Sequence, residues 1–434
     1  MKYYCIGIKG SGMSTLANIL YDLGNEVSGY DDERGYKYTV EGLNARGIEI
    51  FYDEHSIDED TIVTYSKAFS PDHKEIKRVK ELGLKIKDYN EVVGDITKMF
   101  TTIGVCGTHG KTTTSLLISN IFDHTLGCNY FVGDGTGHAT KDNNFFVIES
   151  DEFNKHFLAY HPTIAIITNI ELDHVECYPG GIEEIKETFK KFADKANVVI
   201  ACGDDNNIRD INFSSDTIYY GFNDNNNVVA KNVILNENGS QFDCYIDNEL
   251  YGHFEIPLFG NHMILNALSA IAVSKYYDIS LADTKKYINE FKGAKRRFKI
   301  KEFGDVVTVD DYAHHPTEIA VTIASARQKY PNKEIVGVFL PNTYSRTEAL
   351  MGDFATALKK ADKAYVMDIH CDREKQSDYP NVSSDTLITL IPEAEKVSVE
   401  TCDKLLKHKN AVICFMSCTN IYKIEDEFEK LINN

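Results

Sequence analysis

Gly107-Thr108-His109-Gly110-Lys111-Thr112-Thr113 is the stretch whose residue types and spacing say most about chemistry. An apolar strand signal over residues 100–106 precedes it, and helical spacing over 112–122 follows. Glycines let a backbone approach phosphates closely, and successive amides opening a helix supply positive potential. Lys111 can then reach the β- and γ-phosphates of ATP, while the Thr112 hydroxyl can ligate Mg²⁺. The pattern departs from a strict Walker A motif, because position 105 is Val and Gly104 comes one residue too early. The strand–loop–helix setting nevertheless favours an ATP site over a glycine turn with a chance Lys-Thr pair.

Two acid-rich segments lie downstream. Glu149-Ser150-Asp151-Glu152 ends the apolar run 145–148, and Thr168-Asn169-Ile170-Glu171-Leu172-Asp173-His174 follows the run 164–168. A single acid at such a place is ordinarily a solvated loop residue or a helix cap. In an open parallel sheet, however, ligands bind beyond the carboxyl ends of strands. Two such ends in one unit with a phosphate loop point to divalent metal beside the phosphates. Further on, Asp310-Asp311-Tyr312-Ala313-His314-His315-Pro316-Thr317-Glu318 joins a strand to a helix. Adjacent histidines on a loop rarely converge on one ion, so a metal site is the weaker reading there. Near the N-terminus, Gly7-Ile8-Lys9-Gly10-Ser11-Gly12-Met13 is a glycine-rich strand-to-helix turn, and Asp31 closes the second strand 19 residues past Gly12. Its spacing is G-x-x-G-x-G rather than G-x-G-x-x-G, so an NAD-linked oxidoreductase rests on weak evidence.

These segments need strands to end at them and helices to begin from them. Strand and helix signals alternate almost throughout, which predicts an α/β protein. Three units follow in series: 1–96, 97–293 and 294–434. The first is Rossmann-like, with strands at 3–8, 26–30, 62–65 and 84–86 and a first helix ended by Gly24. The second is a P-loop ATPase-like parallel sheet. Short strands at 217–220, 228–233, 241–245 and 250–256 predict a small antiparallel patch at its edge, followed by helices at 263–277 and 281–291. Residues 293–297 form a linker. The third unit is again Rossmann-like, with strands at 306–309, 335–339, 364–367 and 411–416, a helix opening at Pro316 and another over 347–360.

Composition narrows the classes. The 434 residues carry a formal net charge of −20, which disfavours nucleic acid and anionic lipid surfaces as partners. Ten cysteines without a C-x-x-C pair predict free thiols in a reducing compartment. No stretch approaches the ~18 apolar residues of a membrane span, so a cytoplasmic protein is expected.

The G-T-x-G-K-T form of the loop resembles the Mur ligases and their folylpolyglutamate synthase relatives. That family joins a carboxylate to an amine through an acyl phosphate. The other segments, in order, resemble the family's alanine-adding branch. The resemblance implies ATP and Mg²⁺ as cofactors, UDP-N-acetylmuramate and L-alanine as substrates, and a place in peptidoglycan precursor synthesis. By the same resemblance Gly107, Thr108, His109, Gly110, Lys111, Thr112 and Thr113 hold the phosphates, with Lys111 stabilising charge on the γ-phosphoryl group. Thr112, Glu149 and His174 would bind metal, the last two at separate positions. Asn266, with His262 beside it, falls to adenine and Asp311 to ribose, while Arg297 would contact nucleotide or sugar. Gly10, Ser11, Gly12 and Met13 would cradle the UDP-sugar diphosphate, with Asp31 near uridine. Tyr312, His314 and Arg346 would face the amino acid, Arg346 pairing with its carboxylate.

The departures are Met263 and Asn342, where the family often has Asn and usually has His, and Ser417, Cys418, Thr419 and Asn420, which replace a glycine-rich acidic segment. The carbamylated lysine of other branches has no counterpart to place. A recycling ligase that attaches a preformed tripeptide to the same sugar nucleotide is the nearest alternative reading. A non-catalytic nucleotide-binding homologue is the alternative from another class.

Overall fold

Runs of Ile, Val and Phe without alternation belong to strands buried on both faces. Ile164–Ile167, Val198–Cys202 and Ala411–Met416 are such runs, and every residue in them is buried. The computed structural model describes residues 1–66, 68–371 and 374–433. Among these residues the strands form three sheets, of five, ten and six strands. The protein is therefore α/β with three domains in series.

In the first sheet Lys2–Ile6 lies between Glu26–Tyr30 and Ile62–Tyr65, all parallel. Gly24, at φ +78°, ends the helix Ser11–Asp22 in a conformation that glycine adopts without cost. In the central sheet Thr101–Cys106 runs parallel between Phe145–Glu149 and Ile164–Ile167, so the ends of all three strands meet on one side. In the third sheet Ala411–Met416 lies between Val306–Asp311 and Glu334–Phe339. Pro316 occupies the first turn of the helix Pro316–Lys329, capped by His315.

Two expectations are corrected. The edge patch is antiparallel only over Val228–Asn236, Gly239–Ile246 and Glu249–Ile256. Asp216–Gly221 instead runs parallel to Val198–Cys202, a buried strand not anticipated from the sequence, and so continues the main sheet. The helix expected over 347–360 is two, Tyr344–Ala349 and Met351–Leu358. Leu350 leaves helical geometry at φ −117° and ψ 20°, and it lines the cavity beside Arg346.

One apolar cluster joins the first two sheets through Leu16, Val92, Ile118 and Phe122. Full burial of each such side chain contributes roughly 1.5–3 kcal/mol. The third sheet carries clusters of its own. No helix among the described residues is long and apolar enough to cross a membrane. All ten cysteines are free.

Candidate active site

The loop after Thr101–Cys106 is shaped by two glycines. At Gly107 φ is +142°, and a Cβ there would fall 1.9 Å from Thr168 Oγ1. Gly110, at φ +81°, turns the chain into the helix Lys111–Asp123. The loop rests on Thr168 and Asn169. Thr168 Oγ1 and Asn169 Nδ2 donate to His109 O at 2.6 and 3.0 Å, and Asn169 accepts from the amides of Thr108 and His109. Those two amides are thus engaged. The amides of Lys111, Thr112 and Thr113 open a helix and have no intrahelical acceptor, so they are the ones left for an anion.

Lys111 Nζ donates to Gly107 O at 2.6 Å and lies 2.8 Å from Glu152 Oε2. Burial opposes its charge, but Glu152, Asp151 and Glu149 outweigh burial and hold it above the ordinary lysine range. Thr112 Oγ1 donates to Glu149 Oε1 at 3.0 Å, and the Gly133 amide donates to Oε2 at 2.7 Å. His174 sits apart from that pair. Its ligating nitrogen lies within 4.8 Å of carboxylate oxygens of Asp151 and Glu152. Burial lowers its basicity, which keeps the imidazole neutral and able to ligate. Two donor groups therefore flank Lys111. The first is a hydroxyl and a carboxylate, hard oxygens suited to a small divalent cation. The second adds the His174 nitrogen to two carboxylates.

Two cavities open from this centre. One, of about 360 Å³, is lined by His109, Gly110, Asn266, Arg297, Asp311 and Glu318 among others. Asn266 stands 3.0 Å from where a Gly110 Cβ would lie, so the loop and the helix Asn261–Tyr276 are in near contact. The Asn266 amide donates to Met263 Sδ at 3.6 Å, so this unusual methionine partners the asparagine directly. His262 is held neutral, at about 4, by burial and by Arg297. The Asp311 carboxylate accepts from the amides of Phe298 and Ala313, both at 2.8 Å, which fixes the start of the third domain.

The other cavity, of about 400 Å³, is lined by Asp151, His174, Tyr312, His314 and Arg346 among others. Arg346 Nε donates to Asp173 Oδ1 at 3.0 Å, while its terminal nitrogens have no protein partner among the described residues. His314 Nδ1 lies 3.0 Å from Tyr312 O and 3.1 Å from Glu318 Oε2. Asn342 Nδ2 donates to Cys418 Sγ at 2.9 Å, so two of the departures noted in the sequence meet on one wall of this cavity.

The N-terminal turn is built around Gly7, at φ +79°. Gly10 caps the helix that Ser11, Gly12 and Met13 begin, and the Met13 side chain is buried, so Met13 offers the turn its backbone. Both Asp31 oxygens accept backbone amides, from Lys9 and Glu33. Thr15 Oγ1 donates to Gly135 O at 3.1 Å. The loop 132–136 thus touches the N-terminal helix at Gly135 and Glu149 at Gly133.

Glu152, Gly133 and Glu318 also belong to the site, though the motif reading gave none of them a role, and so do Glu171 and Asp173, which as carboxylates near His174 were candidates for the general base. All but Gly133 lie inside the motifs themselves. Gly133 left no signal beyond being a glycine.

Three family descriptions match the chain in order: "Mur ligase family, catalytic domain" over residues 2–101, "Mur ligase middle domain" over 105–274 and "Mur ligase, glutamate ligase domain" over 296–415. The UDP-N-acetylmuramate–L-alanine ligase of Lactiplantibacillus plantarum is 43% identical over 431 residues, covering 98% of either chain. The crystal structure of the UDP-N-acetylmuramate–alanine ligase of Thermotoga maritima, at 26% identity, covers 100% of this chain and 99% of its own with a TM-score of 0.79. The murein peptide ligase of Psychrobacter arcticus shares the fold at 21% identity, covering 100% of this chain and 99% of its own with a TM-score of 0.68.

Proposed function

The chain belongs to the Mur ligase family, and on that premise we infer that it uses ATP to join L-alanine to the lactyl carboxylate of UDP-N-acetylmuramate. The observation that carries this reading is the place of Lys111. Its loop lines a nucleotide-sized cavity through His109, Gly110 and Thr113, and it pairs with Glu152, whose neighbour Asp151 lines a second cavity with Arg346 and His314. The reaction runs in three steps. The lactyl carboxylate attacks the γ-phosphoryl group and releases ADP. The alanine amine attacks the resulting acyl phosphate. The tetrahedral intermediate then expels phosphate and leaves the amide.

Each residue's role follows from its position. The amides of residues 111–113 and the Lys111 ammonium hold the phosphates and the charge that grows on them in transfer. The turn at residues 10–13 faces the UDP-sugar diphosphate, and Asp31 fixes the turn's exit. Asn266, Arg297 and Asp311 frame the nucleoside. Arg346, oriented by Asp173, offers its two terminal nitrogens to the alanine carboxylate. His314, tethered through Nδ1, presents Nε2 to take the proton that the amine loses. Thr112 with Glu149, and His174 with Asp151 and Glu152, would hold Mg²⁺, which when bound neutralises charge between the phosphates and the carboxylate. The docked third domain excludes water that would hydrolyse the acyl phosphate. Ten free cysteines and a soluble sugar-nucleotide substrate fit a cytoplasmic enzyme of peptidoglycan precursor synthesis.

The test is ADP release with UDP-N-acetylmuramate and a panel of amine acceptors. L-Alanine should support turnover. Turnover with L-Ala-γ-D-Glu-meso-diaminopimelate alone would assign the recycling reaction instead.

A further inference from the structure

The His109 side chain leaves the phosphate loop toward two carboxylates, one of them in the third domain. Its Nε2 lies 3.4 Å from Glu171 Oε2, on the segment after Ile164–Ile167, and its Nδ1 lies 3.3 Å from Glu318 Oε1, in the third domain. Thr317 Oγ1 of the third domain donates to the same Glu171 oxygen at 2.7 Å. The His109 ring packs on His315, with centroids 4.6 Å apart. His109 is 12% exposed and Glu318 11%, so both charges lie largely out of water. Charges so placed must be paired and hydrogen-bonded.

The same residues admit a rival reading. His109, Glu171 and His315 offer ligand atoms within 4.8 Å of one another, as a metal site would. Hydrogen bonding decides against it. Each ring nitrogen of His109 faces a carboxylate, and carboxylates only accept. With a carboxylate oxygen within 3.4 Å of each ring nitrogen, the protonated ring is the state this pairing favours, and it has no lone pair for a metal.

We propose that His109 is a positioning residue: its imidazolium bridges Glu171 and Glu318 and thereby ties the phosphate loop to the docked third domain. The ring lies two residues before Lys111, on the backbone that Thr168 and Asn169 already hold. Docking of the third domain therefore sets the loop that positions the reactive phosphate, besides covering it. Thr317 strengthens the tie by holding Glu171 from the opposite side. This assignment rests on reading residues 107–113 as the phosphate loop. It separates two functions of that loop: the amides and Lys111 bind nucleotide, while His109 senses the domain.

The experiment compares wild type, His109→Asn, Thr317→Val and the double variant. Small-angle scattering gives the radius of gyration without ligand, and titration with a non-hydrolysable ATP analogue gives Kd. Initial rates give kcat. Both single variants should have a larger radius of gyration and a kcat about tenfold lower. Analogue Kd should stay within about threefold of wild type, because the nucleotide contacts persist. The double variant should lose less than the product of the single losses, since both act through Glu171. A kcat loss matched by an equal loss of analogue affinity would overturn the proposal and place His109 in the nucleotide cradle. Unchanged dimensions and kcat would also overturn it. So would stoichiometric Zn²⁺ binding by wild type that His109→Asn abolishes. Scattering and analogue binding need no turnover, so an inactive wild type would sink the ligase reading and leave this one standing. Thr317→Val keeps the test open should His109→Asn fail to fold.

Discussion

Lys111 lies against Glu152 and donates into its own loop, so the fold itself fixes where its charge stands. Charge fixed in advance costs no reorganisation in the transition state. Lys111→Ala should therefore lower kcat by about 10²–10³-fold, read as ADP release, while the melting temperature changes little. Arg346 makes a different contribution. Its Nε is taken by Asp173, and only a planar guanidinium leaves two parallel donors beyond that bond. Arg346→Lys should raise KM for L-alanine by about tenfold and lower kcat less. The places of Lys111, Thr112, Glu149 and His174 at strand ends were legible in the sequence because each closes or follows a recognisable apolar run. The outward-turned ring of His109 was not legible. Its direction is set by Glu318, which is far away in the chain, and no local spacing reports such a pairing. Met13 is the converse case: the motif was legible, but the side chain serves the core.

At the scale of elements, the phosphate loop depends on its neighbour strand as much as on its own glycines. A Cβ on Gly107 would collide with Thr168 Oγ1, and its φ of +142° is one that L side chains rarely adopt. Gly107→Ala should destabilise the central domain by about 1–3 kcal/mol, read as a lower midpoint in thermal melting. The tie between loop and third domain also has a pH signature. Burial opposes charge on His109, but Glu171 and Glu318 prevail and push its pKa from 6.5 to about 9. Glu171 and Glu318 are themselves held below the usual carboxylate range, and the adjacent His315 is kept neutral at about 4, so it adds no competing charge. Arg297, from the linker, and His314 also face Glu318. A pKa raised on folding gives stability that is complete below the unfolded value and is lost as pH rises through the folded one. The melting-temperature gap between wild type and His109→Asn should be widest below pH 6.5 and shrink as pH rises through about 9. Most strand positions were legible from apolar runs, with Val198–Cys202 the buried exception. The direction of Asp216–Gly221 was not, because its partner is a distant buried strand and local alternation says nothing about orientation.

Across the whole molecule, three sheets bring the ends of their strands toward one region, and each supplies what the others lack. The first gives a glycine turn, the second the phosphate loop and its acids, and the third Arg346, His314 and Glu318. The order of these parts was legible because the motifs follow one another along the chain. Their docking was not, since it depends on contacts such as Thr317 with Glu171 and Arg346 with Asp173. The same holds for Asn342 and Cys418. As sequence they are two separate departures from the family pattern, but in the fold they are one hydrogen-bonded pair on the cavity wall. The central claim is that this site couples ATP cleavage to amide formation between UDP-N-acetylmuramate and L-alanine. The most direct test measures ADP release and product mass together, for wild type and Lys111→Ala, with L-alanine and with the tripeptide. One ADP should form per UDP-N-acetylmuramoyl-L-alanine, dependent on both substrates and lost in Lys111→Ala. ADP release that is independent of L-alanine, or a product formed only with the tripeptide, would contradict it.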